Sequence, residues 1–353
     1  MTTRVAVRQG TLADVFDPKA NSLNALRLVL ATGVIVWHSF PLTGADVTFA
    51  PLRQLLSNGW VDGFFAVSGY LIVSSWIRRP HWWSFLRARM LRILPAFYTC
   101  LLVTAFVLAP LGLLLAGIAY PAGFWADAWG YVVNNGALRV TQYGIAGTPL
   151  GVPYPDTWNG SLWTLWWEFL CYLGVLALGV CGLLRYRWSI PAVFLLFAAG
   201  VVATSYGPVD GFIVTTMSRF GVMFTAGALI HQLQHRLPAR WLYVALAGVV
   251  VLASSVLPDY RVIAALPLAY LLITTGALVK NRIFWLRNDI SYGIYIYAFP
   301  LQQCLAMLGL YALGVPLFAI LSIAVTVPMA LASWFLVEKP ALRLRKRPSP
   351  HTG

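Results

Sequence analysis

Ten apolar stretches alternate with short polar connections along the chain, at roughly 23–42, 60–77, 91–116, 162–184, 188–206, 212–232, 240–257, 260–279, 289–310 and 316–337. Each runs for roughly 17–25 residues, the length that a hydrocarbon layer about 30 Å thick demands of a helix. Lipid offers no partner for backbone N–H and C=O groups, so such stretches must satisfy them internally. The pattern therefore predicts an all-α polytopic membrane protein with about ten transmembrane helices. One connection is long, about 117–160, and carries Pro121, Pro149, Pro153 and Pro155 among Trp125, Trp129 and Trp158. Connections of that length are usually functional or disordered. Its aromatic residues suit an interfacial belt or stacking on sugar rings. No internal repeat and no low-complexity tract is legible.

Composition agrees with the pattern. Of the 353 residues 59% are hydrophobic and 10% charged, with a mean hydropathy of +0.74, a balance that water-soluble domains do not carry over such a length. A net charge of +14 raises the question of nucleic acid, but the basic residues are scattered through short connections rather than gathered on one wet face, which excludes that partner. They set sidedness instead. With the N-terminus inside, one side receives Arg4, Arg8 and Lys19, the basic clusters at 78–79, 87–89, 185–187, 236–240 and 280–287, and Lys339, Arg343, Arg345, Lys346 and Arg347. The other side receives Arg53, Arg139 and Arg261. Both termini are expected in the cytoplasm, with 1–22 a cytosolic segment, 23–338 the membrane domain and 339–353 a basic cytosolic tail suited to anionic lipid. The first segment holds Asp14, Asp17 and Pro18 without a small-residue cleavage site, unlike a removable signal peptide. Cys100, Cys171, Cys181 and Cys304 lie in or beside apolar runs without metal-ligand spacing and read as packing residues.

Ionisable residues inside the stretches carry the candidate chemistry, because each costs roughly 2.5–3.5 kcal/mol to insert and so tends to face a bundle interior or a wet cavity. Arg27 and His38 are eleven residues apart, about 1100° at 100° per residue, so they share one stripe of the first helix roughly 16 Å apart. His38 is the natural acid/base group, since imidazole titrates nearest neutral pH. Asp62 either fixes the tautomer of His38 or caps the second helix. Glu168 lies about six residues into the fourth stretch, too deep for a surface charge; it serves acid/base or acceptor-binding chemistry, or pairs with Arg27 or Arg219. Arg89 and Arg92, three residues apart on one helix face, present planar forks that suit phosphate. Arg219 is a further intramembrane cation that neutralises a carboxylate or touches a donor. His231 and His235 at i, i+4 lack a converging third ligand, and no metal site is assigned.

Five segments in order resemble the integral-membrane acyltransferase family 3, which acylates sugars and other hydroxyl acceptors. They are Arg27 with His38; Gly59 to Leu71, with its aromatic pair and Ser68-Gly69; Arg89-Met90-Leu91-Arg92 before Pro95; Asn159-Gly160-Ser161-Leu162-Trp163-Thr164-Leu165-Trp166-Trp167-Glu168; and Ile290-Ser291-Tyr292-Gly293-Ile294-Tyr295 with Val337-Glu338-Lys339-Pro340. The resemblance covers nearly the whole chain. It implies acyl-CoA as a co-substrate, most simply acetyl-CoA, with no permanently bound cofactor. It implies a glycan or lipid-linked saccharide as acceptor, and residence in the cell inner membrane. On that basis His38, Glu168 and Asp62 are expected to be catalytic; Arg27, Arg89 and Arg92 to bind the donor; and Trp163, Tyr172, Tyr295 and Ser68 to touch the acceptor or the oxyanion. Ser68 equally suits helix packing. Two departures are visible: Ala298 stands where many members carry a histidine, and the soluble esterase-like domain that many members carry after the last span is not expected here. The rival class is a transporter or exporter of a glycan or small anion, which explains spans and buried charges but not a paired arginine mouth below a histidine stripe.

Overall fold

The computed structural model describes residues 10–344, and these are helical without a strand. In chain order the main helices are α1 (Leu23–Leu42), α2 (Ala50–Arg78), α3 (Trp82–Val103), α4 (Phe124–Asn135), α5 (Thr164–Val180), α6 (Ser189–Tyr206), α7 (Phe212–Leu233), α8 (Trp241–Ser254), α9 (Arg261–Leu278), α10 (Ser291–Met307) and α11 (Val315–Ser333). Wide π turns carry α3 through Thr104–Leu108 into Ala109–Leu115, and α11 through Trp334–Glu338 into Lys339–Leu344. Among the described residues seven helices are long and apolar enough to cross a membrane, namely α1, α2, α6, α7, α9, and α3 and α11 with their extensions, while α5 and α8 are shorter apolar helices. Arg4, Arg8, Arg345, Lys346 and Arg347, which contribute to the expected charge asymmetry, lie outside the described residues.

A helix lies in each of the ten apolar stretches, but seven rather than ten have membrane-crossing length, and two further features differ from the pattern. Helix α2 begins at Ala50 rather than near residue 60. Its first turns hold Arg53, Gln54, Ser57 and Asn58, which lower local hydropathy without opposing a helix, and Pro51 sits in the first turn, where its missing N–H costs nothing. Helix α4 forms inside the long connection. It buries Phe124, Ala128, Tyr131 and Asn135 and turns Trp125, Trp129 and Val133 outward at i, i+4, i+8, a stripe suited to a membrane interface. Buried Asn135 holds the following turn, accepting from Thr141 N at 2.8 Å and donating to Gln142 O at 2.7 Å.

The chain divides into two compact units. The first contains α2 and α6 to α9 with residues 10–27. Its tightest crossing is α2 on α7: a Cβ on Gly69 would stand 1.8 Å from Phe224 O, and one on Gly227 would stand 1.8 Å from Ala66 O. These glycines let two backbones touch where no side chain fits. Phe65 and Phe220 stack beside them with centroids 4.2 Å apart. Gly69→Ala is expected to cost about 1–3 kcal/mol by forcing the helices apart, read as a lower unfolding midpoint in detergent. Adding Gly227→Ala should cost less than the sum of the single changes, because both open the same gap.

The second unit contains residues 28–49, 81–176 and 288–344. The long connection is fastened to α10 here. Gln303 donates through Nε2 to Tyr154 O at 2.7 Å and to Thr157 O at 2.8 Å, and fully buried Trp158 donates to Thr148 Oγ1 at 2.9 Å. Trp158 in turn fills the space that Gly112, in the extension of α3, leaves open.

Candidate active site

The segment entering α5 is shaped by side-chain bonds to its neighbours in the second unit. Asn159, buried, donates through Nδ2 to Ile296 O at 2.8 Å and accepts from Ser161 N at 3.1 Å. Those two bonds hold the turn before α5 against α10. Gly160 is required there, because a Cβ would come 2.7 Å from the Phe299 ring. Tyr295, also on α10, donates to Ser161 O at 3.0 Å and is hydrogen-bonded to Thr164 Oγ1. Trp163, half-buried, immediately precedes α5.

Glu168 and Tyr172 stand one turn apart on α5, and the Tyr172 hydroxyl donates to Glu168 Oε1. The Arg89 guanidinium lies over the Tyr172 ring at 6.0 Å and over the Phe85 ring at 5.5 Å. A cation, a ring and a carboxylate thus follow one another from α3 to α5. The phenol has an aromatic face for the arginine and a donor for the carboxylate.

Arg92, one turn further along α3, is held differently. Its Nη2 lies 2.6 Å from Asp289 Oδ2 and its Nη1 3.2 Å from Glu338 Oε2. The guanidinium rests over Tyr292 and Trp334 at 5.6 and 5.9 Å. Glu338 is 1% exposed and receives Ser333 Oγ at 3.1 Å, while Asp289 receives the Ser291 hydroxyl. Arg92 therefore joins α3, the entry of α10 and the π turn after α11. Its charge is already matched by two carboxylates.

His38 occupies the last third of α1. Its ring meets Phe299 edge-on at 5.0 Å, and Nδ1 is buried without a hydrogen-bond partner. The residue as a whole is half-buried. The next residue, Ser39, is fixed: Gln302 Nε2 donates to Ser39 Oγ at 3.0 Å and to Ile35 O at 3.1 Å. Through Phe299 the histidine shares a neighbour with Gly160, so α1, α10 and the entry of α5 meet around one ring.

Arg27, Asp62, Ser68 and Arg219 belong to the first unit. The Arg27 guanidinium lies 5.9 Å from the Phe64 ring. Asp62, fully buried, has Arg261 Nε 2.8 Å from Oδ2 and accepts the Tyr260 hydroxyl on the same oxygen. Ser68 is buried next to the Gly69 crossing. Arg219 donates from Nε to Asp259 Oδ2 at 2.7 Å. His231 packs against Tyr70, edge to face at 5.2 Å, and no group of three metal-ligating side chains converges among the described residues.

Sequence reading missed Asp289, Glu338, Tyr292, Asn159 and Gln302 as site-building residues. Glu338 lay inside a quoted motif, and an acid beside Lys339 in an apolar helix was its signal. Asn159 headed another motif, where a side chain able both to donate and to accept was the clue.

Apolar helices of membrane length, with a histidine and an arginine–tyrosine–glutamate sequence held among them, define a polytopic membrane protein equipped for chemistry. Residues 20–335 match the acyltransferase domain family, and the chain belongs to that family, acyltransferase family 3. It is 25% identical to a protein named O-acetyl transferase of Shigella phage Sf6, over 94% of this chain and 98% of that protein. It is 26% identical to Nodulation protein 10 of Rhizobium leguminosarum bv. viciae, over 92% and 94% of the two chains. No solved structure matches it.

Proposed function

We propose that this acyltransferase moves an acetyl group from cytosolic acetyl-CoA to a hydroxyl of a surface or exported glycan, as a ten-span protein of the inner membrane with both termini in the cytoplasm. The observation that carries the proposal is the run from Arg89 through Tyr172 to Glu168, which sets a phosphate-suited cation and a carboxylate along one path in the second unit. The name of the phage relative, O-acetyl transferase, supports the choice of acyl group and of oxygen as acceptor.

In this reading Arg89 takes the CoA phosphates. The acceptor hydroxyl attacks the thioester carbonyl while His38 removes its proton, the C–S bond breaks, and the thiolate leaves with a proton. Glu168 binds the acceptor or relays a proton through Tyr172. Trp163 and Tyr295 flank the same entry of α5 and serve acceptor and oxyanion. Arg92 is a positioning residue rather than a phosphate ligand, since its guanidinium already bridges two carboxylates. Asp62 serves the ion network of the first unit, and Ser68 serves helix packing. Arg89→Ala should raise KM for acetyl-CoA about tenfold or more, the loss of one charge-assisted contact, with kcat nearly unchanged. The loss should shrink as salt rises. Acetyl transfer measured on the purified protein checks this, and an unchanged KM removes Arg89 from the donor site.

A further inference from the structure

The first unit holds a cavity of about 420 Å³ at the start of α2, lined by Arg53, Gln54, Ser57, Asn58, Arg219 and Arg261 together with residues 255–258. That volume is in the range of small-molecule sites. Its wall is built by the segment entering α9. Gln54 fastens that segment, donating to Ser255 O at 3.1 Å and Leu257 O at 3.0 Å and accepting from Tyr260 N at 2.8 Å. The charges beneath are Arg261, 3% exposed, between Asp62 and Asp259, both fully buried.

The arginines are unequally used. Arg261 has Nε 2.8 Å from Asp62 and Nη1 3.2 Å from Asp259, so it is committed. Arg219 is bound through Nε alone, at 2.7 Å from Asp259, with its side chain 39% exposed. Its two Nη groups are unspent. Arg53 is exposed at the rim and makes no hydrogen bond or ion pair among the described residues. Three arginines against two carboxylates leave one net positive charge, and the donors left over belong to two planar forks at the same opening.

We propose that this cavity is a phosphate-binding site, in which the free edge of Arg219 and the fork of Arg53 clasp the phosphate oxygens. Paired guanidinium forks match phosphate geometry better than a diffuse basic surface does. Asp259 and Arg261 hold Arg219 in place. Arg53 and Arg78 lie near opposite ends of α2, about 37 Å apart along a helix of that length. On the sidedness proposed above, and resting on it for this point alone, the phosphate comes from the non-cytosolic side, as a lipid headgroup or as the phosphate of a lipid-linked saccharide.

The test uses the full chain in a maltoside detergent, which carries no phosphate, and contains no acyl donor, so its outcome is separate from that of the acyltransferase reading. Binding of inorganic pyrophosphate is measured by equilibrium dialysis, and retention of added phosphatidylglycerol by native mass spectrometry. Arg53→Ala, which removes no hydrogen bond or ion pair among the described residues, should weaken one or both at least about tenfold. Arg79→Ala, beyond the far end of α2, should change neither. Arg53-dependent pyrophosphate binding supports a site open to soluble phosphate. Arg53-dependent lipid retention without pyrophosphate binding assigns the phosphate to a headgroup. Absence of both, or equal loss in the Arg79 variant, overturns the proposal.

Discussion

His38→Ala lowers the rate of acetyl transfer by about a hundredfold or more, the usual worth of a positioned acid/base group, and leaves the protein folded. Little stability is at stake, because Nδ1 makes no hydrogen bond that the change could remove. The loss is the edge-on contact with Phe299, about 0.5–1.5 kcal/mol. Gln302 and Ser39 keep that end of α1 in place without the imidazole. The measurement is single-turnover transfer from labelled acetyl-CoA, beside the unfolding midpoint of the same preparation. His38→Gln, close in size and unable to take a proton, should be as inactive as the alanine variant. Activity within a few-fold of wild type in either variant would remove the histidine from the chemistry. Trapping an acetyl-imidazole in the wild type would instead show it to be the nucleophile.

The helices were legible because hydropathy at helical length is a strong signal, whereas the site was legible one residue at a time. Arg27, His38, Glu168 and Arg89 stood out as charges in oily surroundings, and each is in a helix as expected. The i, i+4 spacing of Glu168 and Tyr172 was present in the sequence, yet each was read alone, and the bond between them went unforeseen. Helix α4 was hidden by the prolines around it, although its outward stripe of Trp125, Trp129 and Val133 has the helical period. What no local pattern can supply is pairing across the chain. Asp62 finds Arg261 about two hundred residues away, and the Tyr260 hydroxyl donates to the same carboxylate oxygen. A reading confined to neighbouring helices sees a carboxylate near the end of α1 and assigns it to the histidine.

Arg92 shows the same limit with the larger consequence. As part of an Arg-x-x-Arg pair at the foot of a helix it reads as a phosphate ligand, but Asp289 and Glu338, 197 and 246 residues further on, already hold both of its Nη groups. Arg92→Ala therefore removes the guanidinium that bridges two carboxylates, 12% and 1% exposed. Removing one member of a buried ion network costs about 3–5 kcal/mol, which should lower the unfolding midpoint sharply and take activity with it. Arg92→Lys should fall between, because an ammonium is a point charge that cannot span two carboxylates as a fork does. The decisive variant combines Arg92→Met with Asp289→Asn and Glu338→Gln. Removing all three charges together should recover most of the stability, as replacement of buried ion networks by neutral groups often does. A donor-binding arginine behaves in the opposite way: the single alanine variant stays as stable as wild type, binds acetyl-CoA more weakly, and gains nothing from neutralising Asp289 and Glu338. That outcome would return Arg92 to the donor site and leave the bridge between α3, α10 and the π turn as a secondary contact.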